Sequence, residues 1–142
     1  METAAQLLRV KGGGIYSVDP DAPVLEAIRL MAERSVGALL VMKNQQLLGV
    51  VSERDYARKV ILRGLTSSDT PVRQIMSAPV LTIGPDRSVH ECMQMMTDKR
   101  IRHLPVVEGD RVIGVLSIGD LVRAVLEEQQ KTIDDLERYI HS

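Results

Sequence analysis

Two short stretches carry polar groups at a spacing that chemistry could use: Gly49-Val-Val-Ser-Glu-Arg-Asp55 and Gly114-Val-Leu-Ser-Ile-Gly-Asp120. In each, an apolar pair leads into a Ser, and an Asp follows three residues later at the start of what reads as a helix. An ionised carboxylate only accepts hydrogen bonds, so each Asp suits a partner that brings donors. A Ser at a helix start stands beside amides that point outward and suit an anion. The same spacing is nearly a capping box, in which Ser and Asp satisfy the first helix amides with no ligand at all. Both readings stand on the local sequence.

Other reactive residues form no constellation. His90, His103 and His141 are scattered, no motif ties them to a carboxylate, and neither a nucleophile-base pair nor a metal-ligand cluster is readable. The expectation is a chain that is not an enzyme and needs no metal for its fold. Cys92 is the one cysteine, so no internal disulfide and no cysteine-based zinc site can form, and it reads as a small buried apolar residue. Lys11-Gly-Gly-Gly14 reads either as a backbone loop holding a lysine near an anion or as a plain linker. No strand precedes the glycines and no helix follows them directly, as a phosphate loop requires.

The elements that must position the two turns are themselves repeated. An offset of 65 residues aligns Ser17 to Ile61 with Thr82 to Leu126 without a gap, matching Pro20 with Pro85, Glu26 with Glu91, Met31 with Met96, Gly49 with Gly114 and Arg58 with Arg123. One supersecondary unit is used twice, and half a repeat does not bury its own apolar faces. With 142 residues the chain suffices for one compact domain, so the halves are expected to share one core. The first copy reads as a strand at Ile15 to Val18, an Asp19-Pro20-Asp21 turn that can cap a helix from Pro23 to Arg34, strands Ala38 to Met42 and Leu47 to Ser52, and a helix from Glu53 that carries Tyr56, Val60 and Ile61 inward and stops at Gly64. Leu65 to Thr70 reads as the linker between the halves, and Val72 to Met76 as a helical turn delivering Arg73 to the second copy. That copy repeats the order with a strand at Val80 to Ile83, a helix from Ser88 to Lys99, strands Leu104 to Val107 and Val112 to Ser117, and a helix from Ile118. The methionines of its first helix, Met93, Met95 and Met96, read as a buried face. The expected division is 1–14 as an N-terminal segment, 15–64 as motif one, 65–79 as linker and short helical turn, 80–127 as motif two and 128–142 as a helix extension. In the last helix Val122, Leu126, Gln129, Ile133, Leu136 and Ile140 step by four and three residues, the seam of a short coiled coil. Packing on the chain's own body or self-association would bury it; the residues past Glu127 have no counterpart in the first repeat, which favours a homodimer.

Composition excludes several classes. Lys plus Arg number 18 against 19 Asp plus Glu, and there is no Phe or Trp, so neither phosphate attraction nor stacking platforms favour a nucleic-acid binder. No apolar run reaches bilayer length, and Met-Glu-Thr-Ala-Ala-Gln lacks the basic start and apolar centre of a signal peptide; the expected location is cytoplasmic.

The tandem β-α-β-β-α units, the paired Gly-h-h-Ser-x-x-Asp turns (h, apolar) and the segment Ile101-Arg102-His103-Leu104-Pro105-Val106 resemble a pair of cystathionine β-synthase (CBS) domains, a Bateman module, from about Lys11 to Glu127. The resemblance implies a mixed α/β (α+β) fold in which two β-α-β-β-α motifs are related by a pseudo-twofold axis, and a regulatory, non-catalytic module binding an adenine nucleotide such as AMP, ATP or NAD, or the related S-adenosylmethionine. It implies that Asp55 and Asp120 accept from ribose hydroxyls and that Ser52 and Ser117 meet phosphate. By the family's arrangement, one site takes Ser52, Arg54 and Asp55 with Thr82, Ile83 and Pro85, and the other takes Ser117 and Asp120 with Tyr16, Ser17, Val18 and Pro20. Arg102 would serve the Asp120 site and His103 the Asp55 site, with Lys11 and Arg73 as further cations. The first repeat has Gly37-Ala38 where the second has Arg102-His103, so the sites are not chemically equivalent. The alternative is a structural or protein-interaction module without ligand.

Overall fold

Apolar residues at three- and four-residue spacing become helices, and apolar runs bounded by turn residues become strands, in the structure, a computed structural model that describes residues 2–12 and 14–141. Gly13 of the glycine run and the two terminal residues of the expected end segments lie outside the described residues. In chain order the elements are α1 (Ala4–Lys11), β1 (Ser17–Val18), α2 (Val24–Arg34), β2 (Ala38–Lys43), β3 (Gln46–Ser52), α3 (Glu53–Tyr56) with a π-helical continuation Ala57–Ile61, a 3-10 turn Val72–Gln74, α4 (Val89–Lys99), β4 (His103–Glu108), β5 (Arg111–Ser117) and α5 (Ile118–His141). They fall into two compact units. One runs from Ile15 to Leu81 and holds the first motif; the other joins the segment before Ile15 to the chain from Thr82 onward and holds the second.

In the first-motif unit β1 pairs parallel with β2, and β2 pairs antiparallel with β3 through a two-residue loop whose Asn44 and Gln45 both have positive φ, as a tight hairpin turn requires. Val24, Ala27 and Met31 of α2 are buried against Leu39, Val41 and Val51, with Ile28 partly buried beside them. Three expectations change here. Pro23, not Asp21, precedes α2 and makes no side-chain cap; the Val24 and Leu25 amides donate instead to the Thr70 and Ser67 carbonyls at 2.8 and 3.0 Å. The stretch Leu65 to Thr70 is therefore a cover for this helix rather than a free linker, and its Thr70 is buried with Oγ1 donating to the Thr66 carbonyl. Ile61, expected to point inward, is 56% exposed. The π-helical turn, closed by the Leu62 amide on the Ala57 carbonyl, widens the helix and shifts residues off the 3.6 period on which that expectation rested.

In the second-motif unit β4 and β5 form the matching antiparallel hairpin, with the register irregularity at Val106/Val107 that the first hairpin has at Val41/Met42. Ser88 caps α4 in a full capping box with Glu91. Arg100 ends α4 in the left-handed conformation, as Ser35 ends α2. The strand expected at Val80 to Ile83 shrinks to one parallel bridge, Ile83 to Val106, because Gly84 and Pro85 follow at once and proline has no amide to extend a ladder. Two hydrogen bonds hold that bridge, from the Ile83 amide to the Pro105 carbonyl and from the Val107 amide to the Ile83 carbonyl.

The segment before the first motif, expected as an N-terminal segment without a helix of its own, supplies the largest addition over residues 2–12. Thr3 and Gln6 form a capping box that starts α1, and Gly12 ends it at φ 63°. Ala4 and Leu7 are buried in the second-motif core with Ile83, Cys92, Met96, Leu104, Leu116 and Leu121. Leu8 lies so close over Gly114 that a Cβ there would come within 2.5 Å of its Cδ2. The first-motif unit has the same device: a Cβ on Gly49 would meet Met76 Sδ at 2.7 Å and the Ser77 carbonyl at 3.0 Å. Each motif is thus closed by the segment that precedes the other motif in sequence. Where one shared core is expected, the buried side chains gather into two clusters, one in each unit.

Candidate functional site

Each Ser-x-x-Asp turn sits where an antiparallel strand runs straight into a helix. The amide of the first helical residue is taken by a carbonyl from the start of the hairpin: Glu53 donates to Gly37 at 3.0 Å and Ile118 to Arg102 at 2.9 Å. The Ser and Asp then bond reciprocally. Ser52 donates its amide to Asp55 Oδ2 at 2.9 Å and accepts the Asp55 amide on Oγ at 3.1 Å. Ser117 donates its amide to Asp120 Oδ2 at 2.8 Å and accepts the Asp120 amide at 3.2 Å. Both turns are capping boxes, so two of the amides that the sequence offers to a phosphate are already used at each helix start.

The carboxylates differ in their second partner. Asp120 Oδ2 also accepts from Lys11 Nζ at 2.8 Å, and the same ammonium donates to the Val115 carbonyl at 2.7 Å. Burial alone would raise the Asp120 pKa, but the hydrogen bond from Lys11, that from the Ser117 amide and the lysine's charge outweigh it and hold the carboxyl below its ordinary value. Asp55 instead pairs through Oδ1 with Lys59, one helical turn on, at 3.2 Å, while Lys59 Nζ donates to the Ile75 carbonyl at 2.9 Å. The two turns therefore share a frame and differ in the source of their cation.

The other expected site residues divide by unit. With Asp120 stand Lys11, Ser117, Arg102 and His103, and also Thr82, Ile83 and Pro85, which the resemblance assigns to Asp55. Arg102 is exposed, and His103 is paired with Ser117 in the hairpin register. Thr82 is exposed, Ile83 is buried, and the Pro85 carbonyl accepts the Ala5 amide at 2.9 Å. With Asp55 stand Ser52 and Arg54, and also Tyr16, Ser17, Val18 and Pro20. Tyr16 lies under the Arg34 guanidinium at 5.1 Å, Ser17 and Val18 are in β1, and the Pro20 carbonyl accepts the Arg73 amide. Arg73, expected to serve the second copy, puts its guanidinium on Asp21 at 2.7 Å, because the 3-10 turn that carries it is hydrogen-bonded to the Pro20 and Ala22 carbonyls. Lys59 was missed, although its four-residue spacing from Asp55 on a helix is a readable signal. The described residues hold no group of three or more metal-ligating side chains, and no helix among them is long and apolar enough to cross a membrane.

A family model described as the CBS domain matches residues 14–62 and again 72–127. The chain belongs to the CBS-domain family. Chains of this kind are commonly regulatory modules. It is 43% identical to the mitochondrial CBS domain-containing protein CBSX3 of Arabidopsis thaliana over 97% of this chain and 71% of that one. That relative is mitochondrial by name, so family membership does not carry the cytoplasmic expectation. Among solved structures, a protein with CBS domains from Burkholderia ambifaria superposes with a TM-score of 0.86 at 47% identity, covering 90% of this chain and 96% of that one. A hexameric CBS-CP12 protein from bloom-forming cyanobacteria has a TM-score of 0.78 at 25% identity, covering 86% of this CBS chain and 70% of that one.

Proposed function

We propose that this CBS chain is a regulatory, non-catalytic module that binds an adenine nucleotide of the AMP, ATP or NAD class through its two Ser-x-x-Asp turns, and that it works as a homodimer. The observation that carries the reading is the Asp120 carboxylate, 13% exposed, with both of its described bonds on Oδ2 and an ammonium 2.8 Å away. A carboxylate has about four lone-pair sites, so Oδ1 can accept from a ribose hydroxyl, and Lys11 beside it can meet a phosphate. The hexameric CBS-CP12 neighbour supports self-association, and the exposed apolar stripe of α5 supports a homodimer. A specific observation favours a second reading, a protein-interaction module without ligand: both carboxylates already cap their helices.

Calorimetry with AMP, ATP, NAD and S-adenosylmethionine separates the two. One of these ligands is expected to bind, and Asp120→Ala to weaken it by roughly tenfold to a hundredfold, the loss of one charged hydrogen bond. Absence of binding by all four at millimolar concentration overturns the nucleotide reading and leaves the interaction module.

A further inference from the structure

The N-terminal half of α5 docks on the second motif through Leu121 and Ala124, which are buried, with Ile118 and Val125 partly buried beside them. A different stripe is left uncovered: Val122, Leu126, Ile133, Leu136 and Ile140 are 41%, 59%, 48%, 57% and 73% exposed. From Glu127 to His141 every residue except Asp134 is exposed, so the extension gains little from its own chain. These last 15 residues of the 24-residue helix have little tertiary packing, which is where most helix stability comes from in a protein, and the stripe needs a cover.

Charge identifies the cover. With Leu126, Ile133 and Ile140 as a positions and Val122, Gln129 and Leu136 as d positions, Arg123 and Glu137 are two heptads apart on the same e flank, and both are exposed. In a parallel pair an e residue faces the g residue five positions earlier, so Arg123 meets Ile118 and Glu137 meets Thr132, with no charge pair. In an antiparallel pair e faces e. Arg123 then meets the partner's Glu137, Gln130 meets the partner's Gln130, and the apolar layers put Leu126 on the partner's Leu136 and Ile140 on the partner's Val122. Antiparallel helices also set opposite macrodipole ends together.

We infer that the C-terminal helix α5 is a docking surface for α5 of a second copy, joined antiparallel along Val122 to Ile140 with two Arg123–Glu137 pairs across the seam. This rests on the homodimer reading above and names its surface and orientation.

The test is sedimentation velocity of the full chain over a range of concentrations, for the wild type, Arg123→Glu, Glu137→Arg and the double variant, with circular dichroism to compare their folds. The wild type is expected to be a dimer. Each single reversal places like charges together twice and should weaken the dimer on the order of tenfold, and the double reversal should restore it. In a Cys92→Ala background, mixing Leu126→Cys chains with Leu136→Cys chains should give the mixed disulfide under mild oxidation. A wild type that stays monomeric overturns both the homodimer and this surface. A dimer indifferent to the single reversals keeps the homodimer and overturns the helix pairing. Weakening without rescue by the double variant overturns the antiparallel orientation.

Discussion

Replacing Lys11 by Met keeps the length of the side chain and removes the ammonium that joins α1 to Asp120 and the Val115 carbonyl. A hydrogen bond to a charged group contributes about 1.5–3 kcal/mol, whereas an exposed ion pair contributes about 0–1 kcal/mol. The lysine side chain is 38% exposed and the aspartate 13%, so solvent screening brings the expected loss to about 1 kcal/mol at pH 7. In a domain of this size that lowers the melting midpoint by about 3–5 °C. The pH dependence has a fixed sign. The Asp120 pKa is depressed in the folded state, so its stabilisation is complete above the unfolded value of about 3.9 and is lost as pH falls through the folded value. Thermal unfolding of wild type and Lys11→Met at pH 7 and near pH 2.5 reads this out. The gap between midpoints should be present at pH 7 and narrow as pH falls below the unfolded value of about 3.9 and on through the depressed folded value. Equal midpoints at pH 7, or a gap undiminished in acid, would refute the reasoning.

Asp55→Ala removes an acceptor from a capping box and an ion pair with Lys59, so stability should fall by about 1 kcal/mol in a chemical-denaturation curve. If Asp55 also receives ribose hydroxyls, affinity for the nucleotide falls roughly tenfold to a hundredfold in the same variant; unchanged affinity assigns Asp55 to capping alone. Gly114→Ala forces a Cβ to 2.5 Å from Leu8 Cδ2 and should cost about 1–3 kcal/mol in thermal unfolding, largely relieved by adding Leu8→Ala. Gly49→Ala presses on the Ser77 backbone carbonyl as well as Met76, so trimming Met76 should relieve it less.

The hairpins, α2, α4, α5 and the two Ser-x-x-Asp turns were legible because their signals are local: apolar periodicity, and a Ser three residues before an acid. The 65-residue offset made each element evidence for its counterpart. What escaped depends on partners distant in sequence. Nothing near Lys11 announces Asp120, 109 residues away, and the capping box of Thr3 and Gln6 starts a helix too short to stand without Gly114 to pack on. Leu65 to Thr70 read as a linker from its hydroxyl-rich composition, yet its carbonyls are the acceptors that α2 lacks from Pro23. The strand near Ile83 was drawn too long because apolar character suggested a ladder that Gly84 and Pro85 interrupt. Local chemistry states that each turn can either cap or bind; it does not state which lysine reaches each carboxylate.

The exchange of opening segments fixes an order of assembly during synthesis. The unit from Ile15 to Leu81 contains every residue of its own core once Leu81 has been added, so it can fold while the rest of the chain is being made. Helix α1 is made well before Gly114, Val115 and Asp120, the last of them 109 residues after Lys11, and its 8 residues are too few to persist as a helix while it waits. The second-motif unit is therefore sealed late by a segment made early, across a loop longer than the whole first motif, and its closure carries the slow, long-range step. A circular permutant that begins at Ile15 and carries residues 2–12 after His141 would turn that long loop into a short one.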